Sequence, residues 1–113
     1  MQPTQQLLID GQWMSGDAEA FTKLDPITGA ELWQGKAASD EQVAQAVASA
    51  RKAFPDWALT SLEQREALVE RFRGVLESHR EDLAASIARE TGKPLWEART
   101  EVGAMIGKVA LSI

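Results

Sequence analysis

The sequence contains no cysteine, and His79 is its single histidine. Without cysteine, this stretch of chain has no disulfide, no thiolate metal ligand and no cysteine nucleophile. One histidine also excludes metal sites built on paired imidazoles and catalytic triads that need a separate base. His79 follows Ser78 in a capping-box pattern, which favours a helix terminus over a functional role.

Glycine is also missing from the spacings that bind phosphate. No two of the eight glycines lie two residues apart, so the dinucleotide fingerprint Gly-x-Gly-x-x-Gly is absent. The stretch Gly103–Val109 is one residue short of a phosphate loop and carries Val109 in place of Ser or Thr. Its helical periodicity favours a helix instead.

Long apolar runs are lacking too. No run approaches the roughly 18 residues that cross a bilayer, and Met1–Thr4 shows no basic region followed by an apolar one. These absences predict a cytoplasmic protein without a membrane partner.

The composition that remains is that of a folded, acidic segment, with 44% apolar and 26% charged residues. Twelve Lys and Arg against 17 Asp and Glu give a net charge of −5, which argues against nucleic acid or anionic lipid as partners. The four tryptophans share no single helical spacing, so a base-stacking platform is not indicated either.

Residues 1–38 have the pattern of short strands and turns. Asp10-Gly11 lies between two apolar runs and predicts a hairpin at about 6–15. A third extended segment begins at Phe21, and Asp25–Gly29 predicts a type I turn in which Asp25 bonds the backbone two residues on. A further strand is predicted over 31–36.

Residues 39–113 change to a period of about 3.6 and predict four helices. Ser39 with Gln42 starts the first helix at about 40, and Pro55 is expected to stop it after 54, with Trp57 tucked under the connection. The second helix is expected over about 61–78, started by either the Thr60/Glu63 or the Ser61/Gln64 pattern.

A capping-box pattern at Ser78–Glu81 predicts a break before the third helix. The stretch Glu90–Pro94 predicts the next break, because Gly92 suits a left-handed helix end and Pro94 suits the first turn of a new helix. Gly103 and Gly107 share a face of the last helix and predict close packing against another element.

Each of the last three helices has an expected buried face. On the second helix it is Leu62, Leu68, Val69, Phe72, Val75 and Leu76; on the third, Leu83, Ala84, Ile87 and Ala88; on the fourth, Leu95, Ala98, Val102, Met105, Ile106, Val109 and Ile113. The fourth helix carries no stop signal, so the sequence predicts a segment of a longer chain.

Glu97 and Glu101 lie on one helical face and have the residue type and spacing for a cation site or an acid/base pair. A solvated face shared with Arg89 and Arg99 is the alternative, and the sequence favours it.

Taken in order, several of these stretches resemble the start of aldehyde dehydrogenases. The resemblance rests on Ile9–Trp13, Asp25–Gly29, Ala46–Phe54, Trp57, Arg65, Leu83-Ala84 and Glu90–Pro94. Within that family, Leu24–Trp33 and Gly107–Ile113 are similar to the branch that oxidises a succinylated semialdehyde in bacterial arginine catabolism.

The resemblance implies an α/β protein whose Rossmann-like cofactor domain begins with residues 1–113. It also implies a full-length homo-oligomer that oxidises aldehydes with NAD or NADP. In that family a cysteine attacks the carbonyl, hydride passes to the nicotinamide, and a glutamate activates the water that releases the acid.

The family's cysteine, glutamate and cofactor motif all lie beyond Ile113. The segment is therefore expected to contain no catalytic, cofactor-binding or metal-binding residue, to bind no cofactor and to be inactive alone. Glu101 falls near a cation-binding carboxylate of some members and is not counted as a site. The expected partner of the segment is the remainder of the dehydrogenase chain. The alternatives are a self-contained helical interaction module, or a dehydrogenase for another small aldehyde.

Overall fold

The computed structural model describes residues 7–113, which fall into two compact units. Of the described residues, the first unit comprises 7–24 together with Ala30–Leu59, and the second comprises Asp25–Gly29 together with Thr60–Ile113. The predicted hairpin start at residue 6 and the Met1–Thr4 stretch lie outside the described residues.

The first unit begins with the predicted hairpin. Strand β1 (Leu7–Ile9) pairs antiparallel with β2 (Gln12–Met14). Asp10 and Gly11 both have positive φ, at 51° and 74°. That geometry belongs to a type I′ turn, whose twist matches the twist of the paired strands. The hairpin prediction is therefore confirmed.

A second antiparallel ladder follows, formed by β3 (Ala20–Leu24) and β4 (Glu31–Lys36). Phe21 and Trp33 lie on these two strands, with ring centroids 5.4 Å apart and planes at 77°. This edge-to-face contact stabilises the ladder beyond the area that it buries. Both predicted strands are confirmed, and the described residues form two separate two-stranded sheets.

Gly16 has a role that the sequence did not reveal. A Cβ at this position would lie 2.3 Å from the carbonyl oxygens of both Lys36 and Ala37. The two backbones are held together by Ala18 N–H donating to Ala37 O at 3.0 Å and by Ala37 N–H donating to Glu19 O at 2.9 Å. Glycine is thus required for close approach.

Helix α1 (Asp40–Leu59) begins at the predicted capping box. Gln42 N–H donates to Ser39 Oγ, and Ser39 N–H donates to Gln42 Oε1. The buried Gln42 amide also accepts from Asp17 N–H at 3.0 Å and donates to Ser15 O at 2.8 Å. One side chain therefore caps the helix and fixes the loop between β2 and β3.

The predicted end of α1 is wrong, because the helix passes through Pro55 to Leu59. A proline within a helix removes one N–H donor and crowds the preceding turn. Pro55 lies in the penultimate turn, so the loss is confined to one hydrogen bond near an end that would fray anyway. Trp57 lies on this last turn and is 43% exposed, so it is not tucked under a connection.

The second unit contains the predicted turn at residues 25–29. The Asp25 carboxylate accepts from Ile27 N–H at 2.8 Å and from Thr28 N–H at 3.0 Å. The Thr28 and Ile27 amides therefore hold the pKa of Asp25 below its usual value. Gly29, at φ 73°, donates its N–H to Asp25 O and closes the turn.

The three remaining helices are α2 (Leu62–Ser78), α3 (Arg80–Thr91) and α4 (Leu95–Ser112). Of the two alternatives for the start of α2, the Ser61/Gln64 box is the one that forms. The break at His79 is confirmed, but the box predicted there is wrong. Ser78 Oγ donates instead to the carbonyl of Val75, one turn back.

The core of this unit lies between α3 and α4. It consists of Ala84, Ala98, Val102 and Ile106, with Leu76, Leu83, Ile87 and Ala88 packed against it. Two alanines without any exposed surface allow the helix backbones to approach closely. The predicted buried face of α3 is confirmed, whereas on α4 Leu95, Met105 and Ile113 are exposed.

The buried face predicted for α2 is wrong. No residue of α2, which the structure describes in full, is buried. Leu76 contacts the core, but Leu62, Leu68, Phe72 and Val75 are exposed. Apolar periodicity marks a face that packs somewhere, and it does not identify the element that covers the face.

The hinge between α3 and α4 forms at Gly92, as predicted. Gly92 has φ 75° and donates its N–H to Ala88 O, and the proline at residue 94 precedes α4 by one residue. A Cβ on Gly92 would lie 3.0 Å from Pro26 Cγ and 3.3 Å from Ile27 Cγ1. The hinge therefore packs directly against the 25–29 turn.

Gly92→Ala is expected to destabilise the chain by at least about 1 kcal/mol, because the new side chain meets a left-handed backbone. Gly74→Ala, in α2, is the matched control, since its Cβ meets nothing within 4 Å. That substitution should stabilise by about 0.5–1 kcal/mol. Urea unfolding of both variants checks the pair, and equal changes would contradict the hinge geometry.

Candidate functional site

The carboxylates that the sequence singled out lie on α4, beside the hinge. Glu101 pairs with Lys93, and this hydrogen bond, with smaller contributions from the charges of Glu101 and Glu97, raises the pKa of Lys93. The Glu101 carboxylate is thus already engaged by a cation of the same chain. Glu97 and Glu101 do not form an acid/base couple by themselves.

A second ion pair links α3 to α4 on the exposed side. Arg99 Nη2 lies 2.8 Å from Glu81 Oε2, and the hydrogen bond to Glu81 raises the pKa of Arg99. Both side chains are about half exposed or more, so the pair adds little stability. This part of α4 therefore has the character of the solvated face that the sequence favoured.

His79 lies where the sequence placed it, between the end of α2 and the start of α3. Its side chain is exposed and makes no capping hydrogen bond, while Nδ1 lies 3.5 Å from Asp82 Oδ2. A surface imidazole beside one carboxylate has the environment of an ordinary helix-terminal residue.

The stretch Gly103–Val109 lies inside α4, so it is a helix and not a phosphate loop. The predicted close packing at its glycines is not found among the described residues. The nearest atom to a Cβ on Gly103 is Arg80 Nη1 at 3.7 Å, and a Cβ on Gly107 meets nothing within 4 Å.

Residues 7–113 do not fit a dinucleotide. Such cofactors bind at the carboxyl edge of a parallel sheet, next to a glycine-rich turn that opens a helix. Both sheets described here are antiparallel ladders of two strands. We therefore assign no step of any reaction to a cofactor held by these residues.

Among residues 7–113, no three His, Cys, Asp or Glu side chains are grouped closely enough to hold a metal ion. Among the same residues, no helix has the length and apolar character needed to span a membrane.

The conspicuous surface of the first unit is apolar. Along α1, Val43, Val47 and Phe54 are each more than half exposed. An open groove of about 390 Å³ is lined by Val47, Ala50, Arg51 and Phe54. Val43, Val47 and Phe54 follow one another at helical spacing, and this apolar stripe lies on the surface.

The second unit exposes a similar face on α2. Leu68, Phe72 and Val75 follow one another at helical spacing and are 43%, 57% and 54% exposed. Exposed apolar residues that form continuous patches usually mark surfaces that bind another element or protein. The described part of the chain thus exposes apolar surfaces on both α1 and α2.

The chain is similar in sequence and in fold to aldehyde dehydrogenases. The model of the aldehyde dehydrogenase family matches residues 13–113. The chain is 67% identical over all 113 residues to an N-succinylglutamate 5-semialdehyde dehydrogenase of Chromohalobacter salexigens. It is 54% identical over 107 residues to the Escherichia coli O9:H4 protein of the same name.

The match covers 100% of this chain and 23% of the Chromohalobacter protein, and 95% of this chain and 22% of the Escherichia protein. Among solved structures, an NAD-dependent benzaldehyde dehydrogenase from Corynebacterium glutamicum superposes with a TM-score of 0.90 at 29% identity. That superposition covers 94% of this chain and 24% of the other. The chain therefore spans about a quarter of the length of the proteins it matches.

Proposed function

The chain belongs to the aldehyde dehydrogenase family, and we propose that it is the N-terminal part of the cofactor-binding domain of an NAD(P)-dependent enzyme that oxidises N-succinylglutamate 5-semialdehyde to N-succinylglutamate. The observation that carries this proposal is the 67% identity, over every residue of the chain, to a relative of that name. Further relatives of the same name, at 52–54% identity, support the same substrate.

In this proposal the segment contributes structure, and the remainder of the chain contributes the chemistry. Residues 1–113 contain no cysteine that could attack a carbonyl, and the described residues form no parallel sheet edge at which a dinucleotide could bind. The segment alone is therefore inactive. The complete enzyme would act in the cytoplasm, as a homo-oligomer, in the breakdown of arginine.

The charge of the segment bears on where it lies relative to the substrate. N-succinylglutamate 5-semialdehyde carries two carboxylates, and the segment has a net charge of −5. Like charges repel, so a dianion approaches a site of opposite potential faster. We therefore place the segment away from the substrate entrance, which basic residues of the remainder should line.

The proposal is tested on what we call the joined enzyme, in which residues 1–113 are fused to the part of the Chromohalobacter salexigens relative that follows its matched segment. Its kcat/KM for N-succinylglutamate 5-semialdehyde should exceed that for propanal and for betaine aldehyde by about 100-fold or more, since two carboxylates add charge-assisted contacts. The three aldehydes differ in charge, being dianionic, neutral and cationic, and NADH formation is followed for each.

The unmodified Chromohalobacter enzyme is the control for the joined enzyme. If the joined enzyme discriminated against propanal less well than the unmodified Chromohalobacter enzyme does, residues 1–113 would not fit an enzyme of that specificity, and the substrate assignment would be wrong while the family would stand.

A further inference from the structure

An arginine lies at the N-terminal end of the exposed apolar face of α2. Arg65 precedes Leu68, Phe72 and Val75 by three, seven and ten residues, so all four lie toward one side of the helix. Arg65 is half-buried, whereas the three apolar residues are exposed. We call these four residues the Arg65 face.

The guanidinium of Arg65 is incompletely bonded within the described chain. Its Nε is buried and has no hydrogen-bond partner among residues 7–113. The ion pairs in which α2 takes part do not involve Arg65; they join Arg73 to Glu70 within α2, and Glu77 of α2 to Arg80 of α3. A buried donor without an acceptor is costly, and native proteins rarely leave one unsatisfied.

An apolar stripe beside an arginine whose Nε has no acceptor fits an occupant that combines apolar side chains with a hydrogen-bond acceptor. The stripe requires apolar side chains, and Arg65 requires an acceptor, for which a carboxylate has the best geometry because it matches the planar fork of arginine. The relatives that share this segment continue for the greater part of their length beyond it, since the match covers 23% of the Chromohalobacter protein. In the proposed enzyme, a remainder of that length would supply an occupant in the same chain.

We propose that the Arg65 face is the docking surface for the remainder of the dehydrogenase, and that the docked segment brings a carboxylate to Arg65. The inference rests on the proposed function to the extent that a remainder exists. It goes beyond that function because it assigns a docking role to one face of α2 and to Arg65, the charged residue of that face.

The test uses the joined enzyme and two pairs of variants. Arg65→Met removes the charge and keeps the length of the side chain, and Arg73→Met is its control, because Arg73 is half-buried on the same helix but pairs with an exposed Glu70. Phe72→Asp places a charge on the proposed face. Ala67→Asp is the control for it, on another side of α2 where the residue is also exposed.

The readout is the half-life of activity at a fixed concentration of urea. Arg65→Met and Phe72→Asp should each shorten it about tenfold or more, since each leaves a buried charge without a partner. The two controls should change it by no more than a few-fold. Arg65→Lys should fall in between, because it keeps the charge without the fork, and it serves if Arg65→Met does not fold.

Equal half-lives for each variant and its control would overturn the docking proposal, while kcat/KM for the semialdehyde would still support the proposed function. Conversely, the joined enzyme could fail to oxidise the semialdehyde but oxidise another aldehyde. Half-lives measured with that aldehyde that differ between each variant and its control would then support the docking surface, while the substrate proposal would be refuted. A loss that disappears as enzyme concentration is raised would assign the face to a second copy and overturn the proposal.

Discussion

Ile106→Ala is expected to lower the free energy of unfolding of the chain by roughly 2–5 kcal/mol, the usual cost of truncating a large side chain in a core. Ile106 is 7% exposed and belongs to the cluster with Ala84, Ala98 and Val102. The removed carbons leave a cavity between α3 and α4. The two alanines in that cluster have no flexible side chain with which to fill it.

Leu111→Ala is the matched control, because Leu111 lies on the same helix and is 80% exposed. Its truncation should change the free energy of unfolding by less than about 0.5 kcal/mol. Phe72→Ala should likewise cost little in the 113-residue chain, since Phe72 is 57% exposed there. Urea denaturation of the three variants provides the values. A cost at Leu111 equal to that at Ile106 would show that the core has been misplaced.

Features set by neighbouring residues were predictable from the sequence. Asp10-Gly11 predicted a turn with two positive φ angles, Ser39/Gln42 predicted a reciprocal cap, and Gly92 predicted a left-handed helix end. Each of these structures is determined within about four residues by backbone sterics or by one hydrogen bond. The order of strands and helices follows from such local determinants.

Features set by distant residues were not predictable. Nothing beside Gly16 indicates that the backbone at residues 36 and 37 comes within 2.3 Å of where its Cβ would lie. The apolar stripe of α2 was correctly placed on one face, but its exposure depends on what lies opposite. Pro55 does not end α1, because only one helical turn follows it and the loss of a single backbone hydrogen bond there is tolerated.

The candidate site was predictable only as far as family resemblance extends. Arg65 contributed to that resemblance, yet its importance here comes from a buried nitrogen, which depends on three-dimensional packing. Its spacing of three and seven residues from Leu68 and Phe72 is visible in the sequence. A charged residue one helical turn before an apolar stripe is the sequence pattern that could have identified Arg65.

Residues 1–113 alone should form no NADH from any aldehyde. Covalent aldehyde oxidation requires a nucleophile, and the chain has no cysteine. It also requires a bound nicotinamide, and neither antiparallel ladder provides the edge at which a dinucleotide would lie. We expect a complete loss of NADH formation relative to the joined enzyme. The assay uses the semialdehyde, propanal and betaine aldehyde at high protein concentration.

The claim that this chain is an integral part of a dehydrogenase is tested most directly by comparing three proteins in one assay. These are residues 1–113, the Chromohalobacter remainder without its matched segment, and the joined enzyme, each supplied with N-succinylglutamate 5-semialdehyde and NAD. The account predicts NADH formation by the joined enzyme and none by either part alone. A remainder as active as the joined enzyme, or a joined enzyme that is inactive while the unmodified Chromohalobacter enzyme works, would contradict it.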